Sequence, residues 1–131
     1  MKIAIQTAGA PQAIGPYSQA TRSGQWLFCS GQIGLDPSSG SLVAGGITAE
    51  TERVLANLAA VLQAAGGSLA DVLRTTIYLT DLADFAQVNE IYARHFAAPF
   101  PARATVGVAA LPRGAKIEID AIAVLGNGSQ K

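Results

Sequence analysis

The chain has 131 residues, 50% of them hydrophobic and only 14% charged, and its basic and acidic side chains cancel to a net charge of zero. An average soluble domain carries about 25% charged residues, so this composition favours burial over a charged surface. Neutrality argues against nucleic-acid binding by phosphate neutralisation, which needs a basic patch, and no apolar run approaches the ~18 residues that span a bilayer.

At this length residues 1–131 are expected to form one domain with its own core. Met1-Lys2-Ile3-Ala4-Ile5-Gln6 has one basic residue but no apolar stretch long enough for a secretory signal, which points to the cytoplasm. Ile3-Ala4-Ile5, residues 18–22 and residues 26–33 read as short strands between Gly and Pro punctuation. Ser23-Gly24 marks a hairpin turn, and Asp36-Pro37-Ser38-Ser39-Gly40 a second turn. Cys29, the only cysteine, allows no intrachain disulfide and fits a reducing compartment.

Two helices follow. Thr48 is expected to cap the first, with Glu50 and Glu52 near its positive end. Val54, Leu55, Leu58, Val61, Leu62 and Ala65 recur at helical spacing, and Gly66-Gly67 stops the run. Residues 72–79 are β-branched and aromatic, hence a strand. Asp81 or Thr80 opens the second helix, with Phe85, Val88, Tyr92 and Phe96 on one face and Pro99 and Pro101 beyond its end. The runs 101–111 and 115–124 close the chain as strands. The order β-β-β-α-β-α-β-β implies an α/β (α+β) fold, a mixed sheet with both helices on one face. The other face, bare in so apolar a chain, implies a homo-oligomer.

Two charges interrupt the last two strands. Arg103, between Ala102 and Ala104, offers a planar fork that matches a carboxylate, or else pairs with Asp or Glu across the sheet. Glu118 and Asp120 share one strand face, where a carboxylate at a pocket wall can activate water or simply be solvated beside Lys116. Tyr17 follows the Gly15-Pro16 turn as a polar-tipped aromatic or a core residue. Ser30-Gly31 is a strand end that lets a ligand reach the backbone, or a bulge. His95 is the sole histidine, so a multi-histidine metal site is excluded; it is expected to interact with its helix C-terminus. No GxGxxG or GxxxxGK[ST] is present. Cys29, among Leu27 and Phe28, reads as an inert buried thiol.

Taken together these segments resemble the Rid family, also called YjgF. The matching residues are Ile14-Gly15-Pro16-Tyr17-Ser18-Gln19-Ala20, Ser30-Gly31-Gln32-Ile33, Leu35-Asp36-Pro37, Thr75-Thr76-Ile77-Tyr78-Leu79, Val88-Asn89-Glu90-Ile91-Tyr92, Pro101-Ala102-Arg103, Leu111-Pro112 and residues 117–123. The resemblance implies a chorismate-mutase-like fold assembled as a homotrimer with clefts between subunits. It implies hydrolysis of reactive 2-imino or 2-aminoacrylate-type acids, released by pyridoxal-phosphate enzymes, to 2-keto acids and ammonia, with no metal or organic cofactor. By the same resemblance Arg103 binds the substrate carboxylate and Glu118 activates water. Tyr17, Ser30, Gly31, Asn89 and Thr105 fall at cleft positions. Thr105 stands where relatives often carry cysteine, and Gly107 where a larger residue is common, so that neighbourhood is expected to be roomier. The alternatives are RNA cleavage or translation inhibition, also ascribed to relatives, and a non-catalytic 2-keto-acid-binding or chaperone module.

Overall fold

The computed structural model describes residues 1–126; residues 127–131, the tail of the expected domain, lie outside the described residues. The strands are β1 (Ile3–Ile5), β2 (Ala20–Ser23), β3 (Trp26–Gln32), β4 (Val72–Leu79), β5 (Ala102–Gly107) and β6 (Ile117–Val124). Helix α1 (Gly46–Ala64) lies between β3 and β4, and α2 (Phe85–His95) between β4 and β5. The element order is the expected one. All six strands form one sheet in the order β1-β2-β3-β6-β4-β5, parallel between β4 and β5 and antiparallel elsewhere.

The core lies between this sheet and the two helices. Leu55, Leu58, Val61 and Leu62 of α1 and Val88 of α2 are buried together with Leu27, Ile77, Leu79, Ile117 and Ile119 of the sheet. Each such side chain contributes about 1.5–3 kcal/mol by leaving water. Strand β6 shows the sidedness most clearly: Ile117, Ile119, Ala121 and Ala123 are buried, whereas Glu118, Asp120, Ile122 and Val124 face the other way and are half-buried. On that second face Trp26 and Phe28 are each 49% exposed. The helices leave it uncovered.

Local signals held where backbone geometry decides. Gly66 takes a left-handed φ of 91°, and the Gly67 N–H donates to the Leu62 carbonyl at 2.8 Å, which ends α1. Gly24 at φ 60° turns β2 into β3, and Gly40 at φ 73° closes the 36–40 turn, where Asp36 accepts from the Ser38 N–H at 2.8 Å. The 3-10 turn Leu82–Asp84 is capped by Asp81, whose Oδ1 accepts from the Ala83 N–H at 2.9 Å, and it leads directly into α2.

The start of α1 differs from expectation. The cap is Gly45, at φ 117°, and Thr48 makes no capping bond; its hydroxyl instead accepts from Gln87 at 3.1 Å. The two acids behind it serve tertiary contacts rather than the helix end. Buried Glu50 accepts the Lys116 N–H at 2.7 Å, and Glu52 pairs with His95 at 2.7 Å and Arg94 at 3.4 Å. His95 stands in the last turn of α2, as expected, and is also held by a carboxylate of α1. Strand β2 also starts later than expected, because Ser18 and Gln19 use their carbonyls on Ser30.

Candidate active site

Strand β5 is a sheet edge, and its register sets Arg103 beside Thr75 and Thr105 beside Ile77. Thr75 and Ile77 are buried under the helices, so Arg103 and Thr105 belong to the helix side, at its rim. The Arg103 guanidinium lies 5.0 Å from the centre of the Tyr92 ring and 5.4 Å from that of Phe85, within cation–π range. Tyr92 is itself immobilised. Its hydroxyl bonds with Thr75 Oγ1 at 2.7 Å, and its ring stacks on Phe96 at 4.3 Å. Burial raises the Tyr92 phenol above its ordinary pKa, with the Thr75 bond and the Arg103 charge opposing that rise.

The described ion pairs are those of Glu52 with Arg94 and His95; Arg103 has no carboxylate partner among the described residues. It lines a cavity of about 400 Å³ with Asn89, Tyr92 and Phe100. Two buried polar atoms on this side have no partner, Asn89 Oδ1 and Thr105 Oγ1. Unsatisfied buried oxygens cost about 1–3 kcal/mol each, which suits a place where a polar ligand completes the bonding. The extra room expected beside Gly107 is absent. A β-carbon there would meet Leu82 Cγ at 3.2 Å, so Leu82 fills the space.

Glu118 sits opposite Tyr78, on the bare face of the sheet. Strand β3 bulges there: Cys29 pairs with Ala121 and Gln32 with Ile119, so Ser30 and Gly31 together oppose Asp120. The Glu118 carboxylate packs against the Gly31 α-carbon, where an added β-carbon would come within 2.8 Å of its Cδ. Glycine is what lets it lie there. Ser30 Oγ donates to the Ser18 carbonyl at 2.6 Å, and its N–H donates to the Gln19 carbonyl at 3.0 Å, which fixes the bulge to the segment carrying Tyr17. Tyr17 is 55% exposed rather than a core residue, and it lines a cavity of about 290 Å³ with Glu118, Gly31, Ile14, Leu35 and Arg113. Burial, and secondarily the charge of Asp120, raises the Glu118 carboxyl above the usual carboxylate range. The Cys29 thiol is pushed up to about 12 by burial and then by Asp120, consistent with an inert thiol.

The candidate residues thus fall into two groups, Arg103 with Asn89 and Thr105 on one side of the sheet, and Glu118 with Tyr17, Ser30 and Gly31 on the other. A family model described as Endoribonuclease L-PSP matches residues 7–125. RidA from an Antarctic Psychrobacter species has a structure with a TM-score of 0.91 to this one, at 46% identity over 94% of this chain and 99% of that one. The chain belongs to the Rid family. Human 2-iminobutanoate/2-iminopropanoate deaminase is 52% identical over 122 residues, 93% of this chain and 89% of that protein. Protein DfrA of Myxococcus xanthus is 58% identical over 123 residues, 92% and 94% of the two chains.

Within this Rid-family chain, several supporting residues escaped notice in the sequence. Phe85 and Tyr92 underlie Arg103, although their helical spacing marked them only as core. Gln19 is buried and clamps the segment before β2: its Oε1 accepts the Thr7 N–H at 2.7 Å, and its Nε2 donates to the carbonyls of Thr7 at 3.0 Å, Ala10 at 3.3 Å and Pro11 at 2.8 Å. Asn57, buried in α1, donates to the carbonyls of Ile33 at 3.3 Å and Leu35 at 3.0 Å and so holds the loop behind Gly31. Gln19 stood within the family-matching run without a role of its own, and Asn57 showed only as a lone amide among apolar neighbours. No helix among the described residues is long and apolar enough to cross a membrane.

Proposed function

We propose that this protein is an imine deaminase, hydrolysing 2-imino and 2-aminoacrylate-type acids to 2-keto acids and ammonia. The observation that carries this reading is Arg103: a guanidinium seated on two aromatic rings, without a carboxylate partner among the described residues, at the wall of a cavity also lined by Asn89, whose Oδ1 has no partner. Such a fork suits a small carboxylate ligand. The identity to the human deaminase supports the same reading.

In this proposal three copies assemble through the bare sheet face, and the Arg103 half-site of one meets the Glu118 half-site of the next. The substrate carboxylate pairs with Arg103. Glu118, made more basic by burial, takes a proton from water as the water oxygen bonds to the imine carbon. That proton passes to nitrogen to give the tetrahedral carbinolamine. Its hydroxyl proton then moves to the amino nitrogen through Glu118 or water, the C–N bond breaks as the C=O bond forms, and ammonia leaves. Tyr17 and Ser30 orient polar atoms around the water, and Asn89 and Thr105 around the substrate. The imine is already electrophilic, so positioning and one base suffice. Pyridoxal-phosphate enzymes supply such imines, and a cytoplasmic site of action accords with the single buried Cys29.

The test couples the protein to an amino-acid oxidase that generates the imine, with keto acid and ammonia as readouts. The protein should accelerate their release. Arg103→Ala should lower kcat/KM by roughly 100-fold or more, because each hydrogen bond to a charged group contributes about 1.5–3 kcal/mol. Arg103→Lys should lose most activity too, since an ammonium has no fork. Full activity in Arg103→Ala would overturn the carboxylate-anchor reading. The family model's description, Endoribonuclease L-PSP, favours a second reading, RNA cleavage. Zero net charge weakens it, and salt-dependent RNA cleavage by nuclease-free protein is the observation that would establish it.

A further inference from the structure

Glu118 and Asp120 stand two residues apart on one face of β6, and their surroundings differ. The Tyr78 hydroxyl donates to Asp120 Oδ2 at 3.0 Å, although the register puts Tyr78 directly opposite Glu118 and Thr76 opposite Asp120. Tyr78 therefore leans diagonally across the ladder, from the level of Glu118 to the carboxylate beyond it. Asp120 has its donor. Among the described residues none reaches the Glu118 carboxylate, and Gly31 presents only a hydrogen to it.

We propose that Asp120, pinned by Tyr78, is a positioning residue whose fixed negative charge keeps Glu118 the proton acceptor of this pair. The proposal rests on the reading of Glu118 as the base that activates water. A second negative charge disfavours ionisation of the first, and so strengthens it as a base. Two carboxylates in unlike settings on one wall take unlike proton-transfer roles. The tyrosine bond fixes Asp120 in one place, so its field at Glu118 is constant. The Tyr78 phenol is itself raised above its ordinary pKa, chiefly by that bond.

Other groups near Glu118 leave Asp120 as the charge that acts. On β4 the titratable neighbours are Tyr78 and Arg74, and Arg74 is paired in register with Ile122, nearer Asp120 than Glu118. Arg74 and Asp120 line a separate hollow of about 320 Å³ with Phe28 and Thr76. From the turn before β6, Arg113 turns its guanidinium to the Gly40 carbonyl at 3.0 Å. Tyr17 approaches from the loop before β2, whereas Cys29 of β3 pairs with Ala121 and lies buried in the core.

The experiment is a carbon-13 NMR titration of the Glu118 carboxyl in the intact assembly, with the pH profile of kcat/KM measured alongside. Asp120→Asn keeps the shape and can still accept from Tyr78. It should move the Glu118 midpoint, and the acid limb of the profile, to lower pH. Tyr78→Phe keeps the charge and the ring, and should not lower the midpoint. An unmoved midpoint in Asp120→Asn, or an equal fall in Tyr78→Phe, overturns the proposal. If Asp120→Asn does not fold, Asp120→Ser carries the same charge test. Failure of the deamination reading shows separately, as Glu118→Gln turning over at the full rate, because the titration does not depend on activity.

Discussion

At the scale of single residues, Glu118 illustrates a side chain placed against its own preference. Its raised pKa means that folding disfavours the charged form. The sign of the stability effect follows. Stability from this group is present in acid, where Glu118 is protonated, and is lost as pH rises through the elevated folded-state value. Glu118→Gln, a neutral isostere, should therefore unfold at a higher temperature than the parent at neutral pH. The difference should shrink as pH falls and vanish in acid, which thermal melts across pH would reveal. Imine turnover by the same variant should slow, with ligand binding at Arg103 retained. Arg103 is the complementary case: its charge rests on ring faces and not on a carboxylate, so it stays available to an incoming anion.

At the scale of elements, the bulge in β3 and the pairing of β5 with β4 do the placing. Gly31 has no need of a left-handed φ; its requirement is the space that Glu118 occupies. In Gly31→Ala the added methyl displaces the flexible end of one side chain, so stability should fall by no more than about 1 kcal/mol. A displacement near 1 Å should slow turnover by roughly 100-fold. Comparing melts with the coupled rate would separate the two, and equal losses in both would contradict this role. Strands, helices and their order were legible in the sequence because period-two and period-3.6 patterns arise from burial, which acts on every residue. The cap of α1 was not, since Gly45 adopts a positive φ that only the chain path demands, while Thr48 looked chemically better. Nor was the filling of the space at Gly107 legible, because Leu82 arrives from a different turn. Tyr17 and the Ser30-Gly31 bulge lay between two readings in the sequence, and three-dimensional exposure and register separate them.

At the scale of the whole molecule, the opposite sidedness of Arg103 and Glu118 was beyond sequence reasoning. The run from Ala102 to Gly107 has small or polar residues on both alternations, so only the parallel register with Thr75 reveals its face. That sidedness underlies the proposed trimer, and subunit mixing tests it. Arg103→Ala and Glu118→Gln should each form assemblies of low activity, and co-refolding the two should restore full activity in roughly a quarter of the clefts of randomly mixed rings. No recovery would mean that both residues act within one chain. Sedimentation should give a trimer, and a charge at Phe28 on the bare face should break it. In the proposed trimer a single chain carries both halves of a catalyst and no complete one. Newly made protein should then be silent until copies meet, specific activity should fall on dilution, and a cell bearing two defective alleles with different half-sites damaged should recover part of the function that neither allele has alone.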